Sequence, residues 1–255
     1  MFACRAFARY MALVSMLAFL CQGAIVSAST FTVSRVNVLL TPRQKSELVT
    51  VRNASDATLR FQVNVFAWDQ NAQGEMALTA TRDIVFFPPL FSLKPGEERN
   101  LRIGAATSVG MAEKTYRLFI EELPSQEGGS GPPGQVAIRT RLGIPIFLRP
   151  PKERVAGQVD QVDIRDGHLA FAVRNTGNVH FLAQAIRVTG YGATGDTVLE
   201  GKLEGWYVLA GGTRLHDLEL PADKCPLLKT VAIEVQIPQA AFTERVDLPT
   251  VSCRP

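Results

Sequence analysis

Three histidines, a close pair of aspartates and a few cysteines are the residues of this chain with obvious chemical reach. None of His168, His180 and His216 has a partner two or four residues away, the spacing at which imidazoles share a metal or relay a proton. No HExxH, GxSxG or glycine-rich phosphate loop occurs. The three read as ordinary strand or loop histidines. Asp160 and Asp163 stand together just before a turn, where carboxylates usually solvate a surface. These patterns offer no catalytic centre, no metal site and no cofactor, so the chain is expected not to be an enzyme.

The cysteines carry chemistry of another kind, and compartment decides which. Residues 1–28 have the build of a secretory signal. Arg5 and Arg9 give a positive start, Met11–Cys21 an apolar core, and Val26-Ser27-Ala28 a small-residue cleavage site. The clean apolar run falls short of the ~20 residues a membrane span needs. No later segment approaches that length, so stable membrane insertion is not expected. Cys4 and Cys21 leave with the signal, and Cys225 and Cys253 remain. An even pair in an exported chain points to a disulfide, whose closure would stabilise the second half by ~3 kcal/mol. The alternative is two buried free thiols. The whole chain has a formal charge of +3, and losing Arg5 and Arg9 brings it to about +1. No basic tail or patch suggests nucleic acid.

The elements that would position these residues are strands. The residues after the signal suffice for two domains of ~110 residues each. Val33–Leu40, Ser46–Arg52 and Phe61–Trp68 alternate apolar with polar, separated by the turn clusters Asn53–Thr58 and Gln70–Gly74. Phe86–Pro89 marks a break and Lys94–Glu97 (KPGE) a tight turn; Asn100–Gly104 and Thr115–Leu123 follow as strands. Val159–Ile164, His168–Asn175, Phe181–Tyr191, Leu215–Leu220 and Thr230–Ile237 repeat the style, with Asp166-Gly167 as a hairpin turn. The turn Asn175–Asn178 resembles Asn53–Asp56, each following a strand that ends in Val-Arg. The expected class is all-β: two sandwiches in tandem, residues 29–149 and 150–255, meeting at a Pro-Pro step that leaves a cleft between them.

One segment stands apart. Val136–Pro151 follows Pro124–Gln135 (PSQEGGSGPPGQ), a stretch whose composition does not favour a packed fold. It sets Val136, Ile138, Leu142, Ile144 and Ile146 against Ala137, Arg139, Arg141 and Gly143, the period-two pattern of a strand with one apolar face. It closes on Pro150-Pro151, which stops further ladder pairing. Such a strand, behind a mobile loop and at a domain boundary, can lend its edge to another chain.

In order and spacing, several pieces resemble the periplasmic chaperones of the chaperone–usher pilus pathway, and in particular their archaic or alternative branch. The best marked are Phe61–Gln70 (FQVNVFAWDQ), Pro88-Pro89 through Leu93–Glu97 (LKPGE) into Arg102-Ile103, Tyr116–Pro124 (YRLFIEELP), and Arg141–Phe147 (RLGIPIF). The resemblance implies two immunoglobulin-like β-sandwich domains in a boomerang arrangement. It implies a protein that holds pilus or fimbrial subunits lacking the last strand of their own sandwich, and delivers them to an outer-membrane usher. Val136, Ile138, Leu142 and Ile144 would be the apolar plugs of the donated strand, with Thr140 a weak position in the row; each buried aliphatic plug would contribute ~1.5–3 kcal/mol.

In the best-known branch an Arg and a Lys grip the subunit's C-terminal carboxylate. Asn37 and Pro145 align there, and neither supplies a cation. Arg117, on the strand expected beside the donor, is the first candidate replacement, with Arg102 and Arg141 as alternatives. The resemblance also implies a buried interdomain charge network, assigned here to Glu122, Arg149 and Asp223. The rival reading is a secreted tandem immunoglobulin-like surface or adhesin module, binding through its loops and burying that strand in its own sheet.

Overall fold

A computed structural model describes residues 30–124, 139–238, 240–248 and 253. The first half runs β1 (Phe31–Val33), β2 (Val38–Leu40), β3 (Ser46–Asn53), β4 (Leu59–Gln70), β5 (Met76–Ala80), β6 (Ile84–Phe87), β7 (Leu90–Leu93), β8 (Glu98–Ala105), β9 (Lys114–Leu123) and β10 (Arg141–Leu148). The second runs β11 (Gly157–Arg165), β12 (His168–Asn175), β13 (Phe181–Leu182), β14 (Ala185–Tyr191), β15 (Thr197–Glu204), β16 (Tyr207–Val208), β17 (Thr213–Glu219), β18 (Thr230–Ile237) and β19 (Ala240–Asp247). Among the described residues, no helix is long and apolar enough to cross a membrane.

The first half is a sandwich of two sheets, ordered β1-β3-β8-β6 and β2-β10-β9-β4-β5, with β7 also paired to β4. Alternation drives it: Val49 and Val51 of β3, Leu118 and Ile120 of β9, and Ile144 and Ile146 of β10 all point into one core. The second half packs β11-β12-β17 against β15-β14-β18-β19, with the short pair β13-β16 at its margin. Its core gathers Phe171, Val173, Ile186, Val188, Ile233 and Val235. The chain is thus two β-sandwiches with separate cores.

Two expected strands are each divided. Ser34 N still donates to Thr50 O on β3, and Thr50 N to Ser34 Oγ, but the chain then crosses to the other sheet, where Val38–Leu40 pairs with β10. Phe181–Tyr191 likewise splits between two sheets at β13 and β14. The apolar pattern runs through both breaks because each piece faces the same core from a different side. Asp166 and Gly167 both take positive φ, which two-residue hairpins favour.

The paired Val-Arg-Asn turns are built alike. Asn53, fully buried, donates Nδ2 to the carbonyls of Ala57 and Leu93 at 2.7 and 3.0 Å and accepts from Ser55 N. Asn175 donates to Val179 and Val208 carbonyls at 2.8 and 2.9 Å and accepts from Gly177 N. Each asparagine satisfies backbone groups that strands alone leave open.

Cys225 is buried and bonded to Cys253, which ties Cys253 to the second core. Replacing both with serine should lower the stability of the oxidised protein by ~3 kcal/mol, the loop-closure contribution, read as a fall in denaturation midpoint. Equal midpoints for the two proteins would contradict this. His216 stacks on Phe171, and burial, aided by Arg214, pulls its pKa down to about 4. It folds neutral, while the unfolded chain takes up a proton near its ordinary value. Its contribution is therefore complete above that value and declines as pH falls toward about 4. Melting temperature should drop across this window, and His216→Phe should flatten that part of the profile; parallel profiles would refute the assignment.

Candidate functional site

β10 is covered unequally on its two sides. It pairs antiparallel with β9 along its whole length, Arg141↔Glu121 to Leu148↔Lys114. On its other side β2 pairs only with Ile146, Phe147 and Leu148. From Arg141 to Ile144 that side meets no strand among the described residues. Glu122 N donates to Thr140 O, so the even-numbered backbone groups face β9. Arg149 N donates to Leu40 O, so the odd-numbered groups face outward. The open edge therefore presents the N–H and C=O of Arg141 and Gly143, while the C=O of Pro145 faces Val38 N of β2.

The side chains divide by the same parity. Ile144, Ile146 and Leu148 are buried in the first core. Arg141, Gly143, Pro145 and Phe147 lie on the sheet's outer face. Beside them, across β9, stand Glu121, Phe119, Arg117 and Thr115. Gly143 has a local reason: a Cβ there would come within 3.1 Å of the Phe119 ring and 3.2 Å of Arg117 Nε.

The three candidate cations differ sharply. Arg102 is on β8, in the opposite sheet, with Nη2 3.4 Å from Ser46 Oγ. Arg141 lies over the Phe119 ring at 3.9 Å and pairs with Glu121 at 3.8 Å. Arg117 is half-buried over the Trp68 ring at 4.9 Å, and its Nε and Nη1 are buried without a hydrogen-bond partner. Burial pulls its pKa below the ordinary arginine value, with Tyr207 acting the other way. An unpaired guanidinium in such a place favours an incoming anion.

The outer face ends at the joint between the two sandwiches. Trp68, Phe147 and Leu209 form a small third core, with Tyr207 packed against it. His180 stacks on Phe147 at 3.6 Å between ring centres. Beneath them Glu113, its side chain fully buried, takes His180 Nδ1 at 2.7 Å and His180 N at 2.8 Å on one oxygen. Its other oxygen lies 3.6 Å from Arg149 Nε, and Arg149 also bonds Glu153 at 2.9 Å. Asn178 donates to the carbonyls of Met111 and Lys152, and its own carbonyl accepts from Glu113 N. On the far side, Leu215 N donates to Ala72 O at 2.7 Å.

The family model described as pili and flagellar-assembly chaperone, PapD N-terminal domain, matches residues 30–153. The chain belongs to the pili and flagellar-assembly chaperones, through its N-terminal domain. No curated protein matches it. Among solved structures it is similar to the CsuC–CsuE chaperone–tip adhesion subunit complex from the archaic Csu pili of Acinetobacter baumannii. That match has 18% identity and a TM-score of 0.56, covering 88% of this chain and 99% of that one. It is similar to the class 5 fimbriae chaperone CfaA (13% identity, TM-score 0.57, 87% and 100% covered). It is also similar to the Salmonella enterica SafA pilin–SafB chaperone complex (16%, 0.56, 87% and 98%).

In this chaperone-family chain the expected site residues fall as follows. Val136 and Ile138 lie outside the described residues. Thr140 is exposed just before β10, and Leu142 is partly buried against the first core. Ile144, expected as a plug, is 1% exposed inside the chain's own core, because its parity matches Ile146 and Leu148. The expected charge network is redrawn. Arg149 has Glu113 and Glu153 as partners, whereas Glu122 pairs with Phe61 near the opposite end of β9, and Asp223 is exposed before the Cys225–Leu227 turn. Sequence reasoning missed Glu113 and His180, since neither lies in a motif and their contact spans 67 positions.

Glu113→Gln removes the buried charge facing Arg149 and His180. It should lower stability by ~2–4 kcal/mol, somewhat less than for a fully enclosed pair because Arg149 reaches water. Thermal unfolding checks this, and an unchanged midpoint would contradict the role given to Glu113.

Proposed function

We propose that the chain is a periplasmic chaperone that binds pilus subunits by lending them the edge of β10, and passes them to an outer-membrane usher. The observation that carries this reading is the uncovered edge from Arg141 to Ile144. A subunit short of one strand exposes unpaired backbone and an apolar groove, both prone to aggregation. A lent strand supplies ladder bonds and aliphatic plugs together. Membership in a chaperone family, and the subunit-bound forms of the A. baumannii and S. enterica relatives, support it. So does the secretory signal read from residues 1–28.

The plugs are assigned to Val136 and Ile138, with Leu142 contributing at the edge of the chain's own core. Ile144 serves the chaperone's own sandwich. Arg117 is the carboxylate anchor. A guest strand lying along the open edge must stop beside Pro145, because β2 occupies the same line from Ile146 onward. Arg117 is the cross-strand neighbour of Pro145. A cation waiting there selects a carboxyl terminus, so the guest runs parallel to β10.

Co-expression with candidate exported subunits, followed by pull-down from the periplasmic fraction, tests this. Val136→Asp and Ile138→Asp should each cut the recovered complex at least tenfold, because a buried unpaired carboxylate replaces a plug, while the free chaperone melts unchanged. Undiminished recovery from both variants would reject donation. Arg117→Ala should also reduce recovery, and full recovery would move the anchor elsewhere.

A further inference from the structure

We infer that the turn between β4 and β5, residues 71–75, is a releasable strap that docks on the free edge of β17 and holds the second sandwich at its angle to the first. The strap belongs to the joint and acts whatever chain β10 meets.

β17 closes one end of the sheet β11-β12-β17, so one side of it has no strand partner among the described residues. Its Arg214 and His216 pair with Val173 and Phe171 of β12, while Leu215 points its N–H the other way, to Ala72 O at 2.7 Å. The first sandwich thus caps an edge of the second. Just upstream, Leu209 N donates to Gln70 Oε1 at 3.3 Å. The turn holds its own shape. Asn71 Oδ1 accepts from Gln73 N and Glu75 N, Asn71 Nδ2 donates to Glu75 Oε2, and Gly74 N donates to Asn71 O. Gly74 takes a φ of 78°, and the Arg214 guanidinium lies so close that a Cβ there would come within 2.6 Å of Nη1.

Position gives this contact leverage. In the sheet β2-β10-β9-β4-β5 the chain leaves for the second sandwich from β10, whereas the strap hangs beyond β4. Paired strands stand ~4.8 Å apart, so strap and link are separated by about 10 Å or more. A tie at that distance resists turning about the link. Docking is also incomplete. Gln70 Nε2 and Arg214 Nη1 are buried there without a hydrogen-bond partner among the described residues. Letting go returns both donors to water, which offsets the backbone bond that is lost. Neither sandwich has to unfold for this, because their cores are separate. For a guest held on β10, a consequence that rests on the proposed function, the strap fixes where the second sandwich stands beside it.

Amide exchange on the mature chain tests the strap, together with residual dipolar couplings that report how the two sandwiches align. In the unaltered chain the Leu215 amide should exchange about tenfold faster than those of Arg214 and His216, yet well below the rate of an unbonded amide, and both sandwiches should align as one body. Gly74→Ala strains a positive-φ position and pushes Arg214 aside. It should bring Leu215 to the unbonded rate, leave Arg214 and His216 protected, and weaken the alignment of the second sandwich relative to the first. Leu215→Pro removes an N–H that faces away from β12, which an edge strand tolerates, and should weaken the alignment in the same way. Gly74→Ala, in a turn outside both cores, keeps the test open if Leu215→Pro does not fold. Equal protection of Leu215, Arg214 and His216 in the unaltered chain would overturn release. A Leu215 amide already at the unbonded rate there, or sandwiches that stay aligned as one body in the variants, would overturn the strap.

Discussion

β10 is held firmly from one side and barely from the other, and this imbalance governs the molecule. Its full ladder with β9 and the burial of Ile144, Ile146 and Leu148 keep the strand in its own sandwich. The three-residue pairing with β2 leaves the remaining edge unsatisfied. Exposed edges invite promiscuous pairing. Here the edge is short, flanked by Arg139 and Arg141, and closed at its inner end by Pro145, which has no N–H to offer. A strand with this division can engage a second chain through its backbone without leaving its own core.

The inner end of the same strand is built into the domain joint. Phe147 belongs to the third core and stacks on His180, while Arg149 follows directly and reaches Glu113. Glu113 in turn precedes β9, the neighbour of β10. Charge pairing and ring packing therefore act on β10, which carries the open edge, and on β9, which holds it from the other side. The Ala72–Leu215 backbone bond adds a second fastening between the sandwiches. Fixing the joint fixes the wall against which a guest strand must stop.

Much of this was legible in the residues. Period-two patterns located β3, β4, β9, β12 and β18 within a residue or two, since each buries one face and shows the other. The Val-Arg-Asn repeat marked two equivalent turns. The cysteine pair was readable from compartment and parity alone. Divided strands were harder, because an apolar run looks the same whether it serves one sheet or two; Val33–Leu40 and Phe181–Tyr191 are the instances. Weakly alternating edges such as β5 and β19, which face mostly solvent, left little trace. At the site, Arg117 stood out as a cation on the neighbouring strand, while its orphaned donors became visible only in three dimensions. The true partner of Arg149 was hidden for the same reason: a pairing between distant positions leaves no local signature.

Residue-resolved amide hydrogen exchange addresses the open edge most directly. In the free chain, the amides of Arg141 and Gly143 should exchange rapidly while those of Ile144 and Ile146, bonded to β9, stay protected. Adding a subunit should bring strong protection to Arg141 and Gly143. Protection of both amides in the free chain, or continued rapid exchange in the complex, would contradict the lending of this edge.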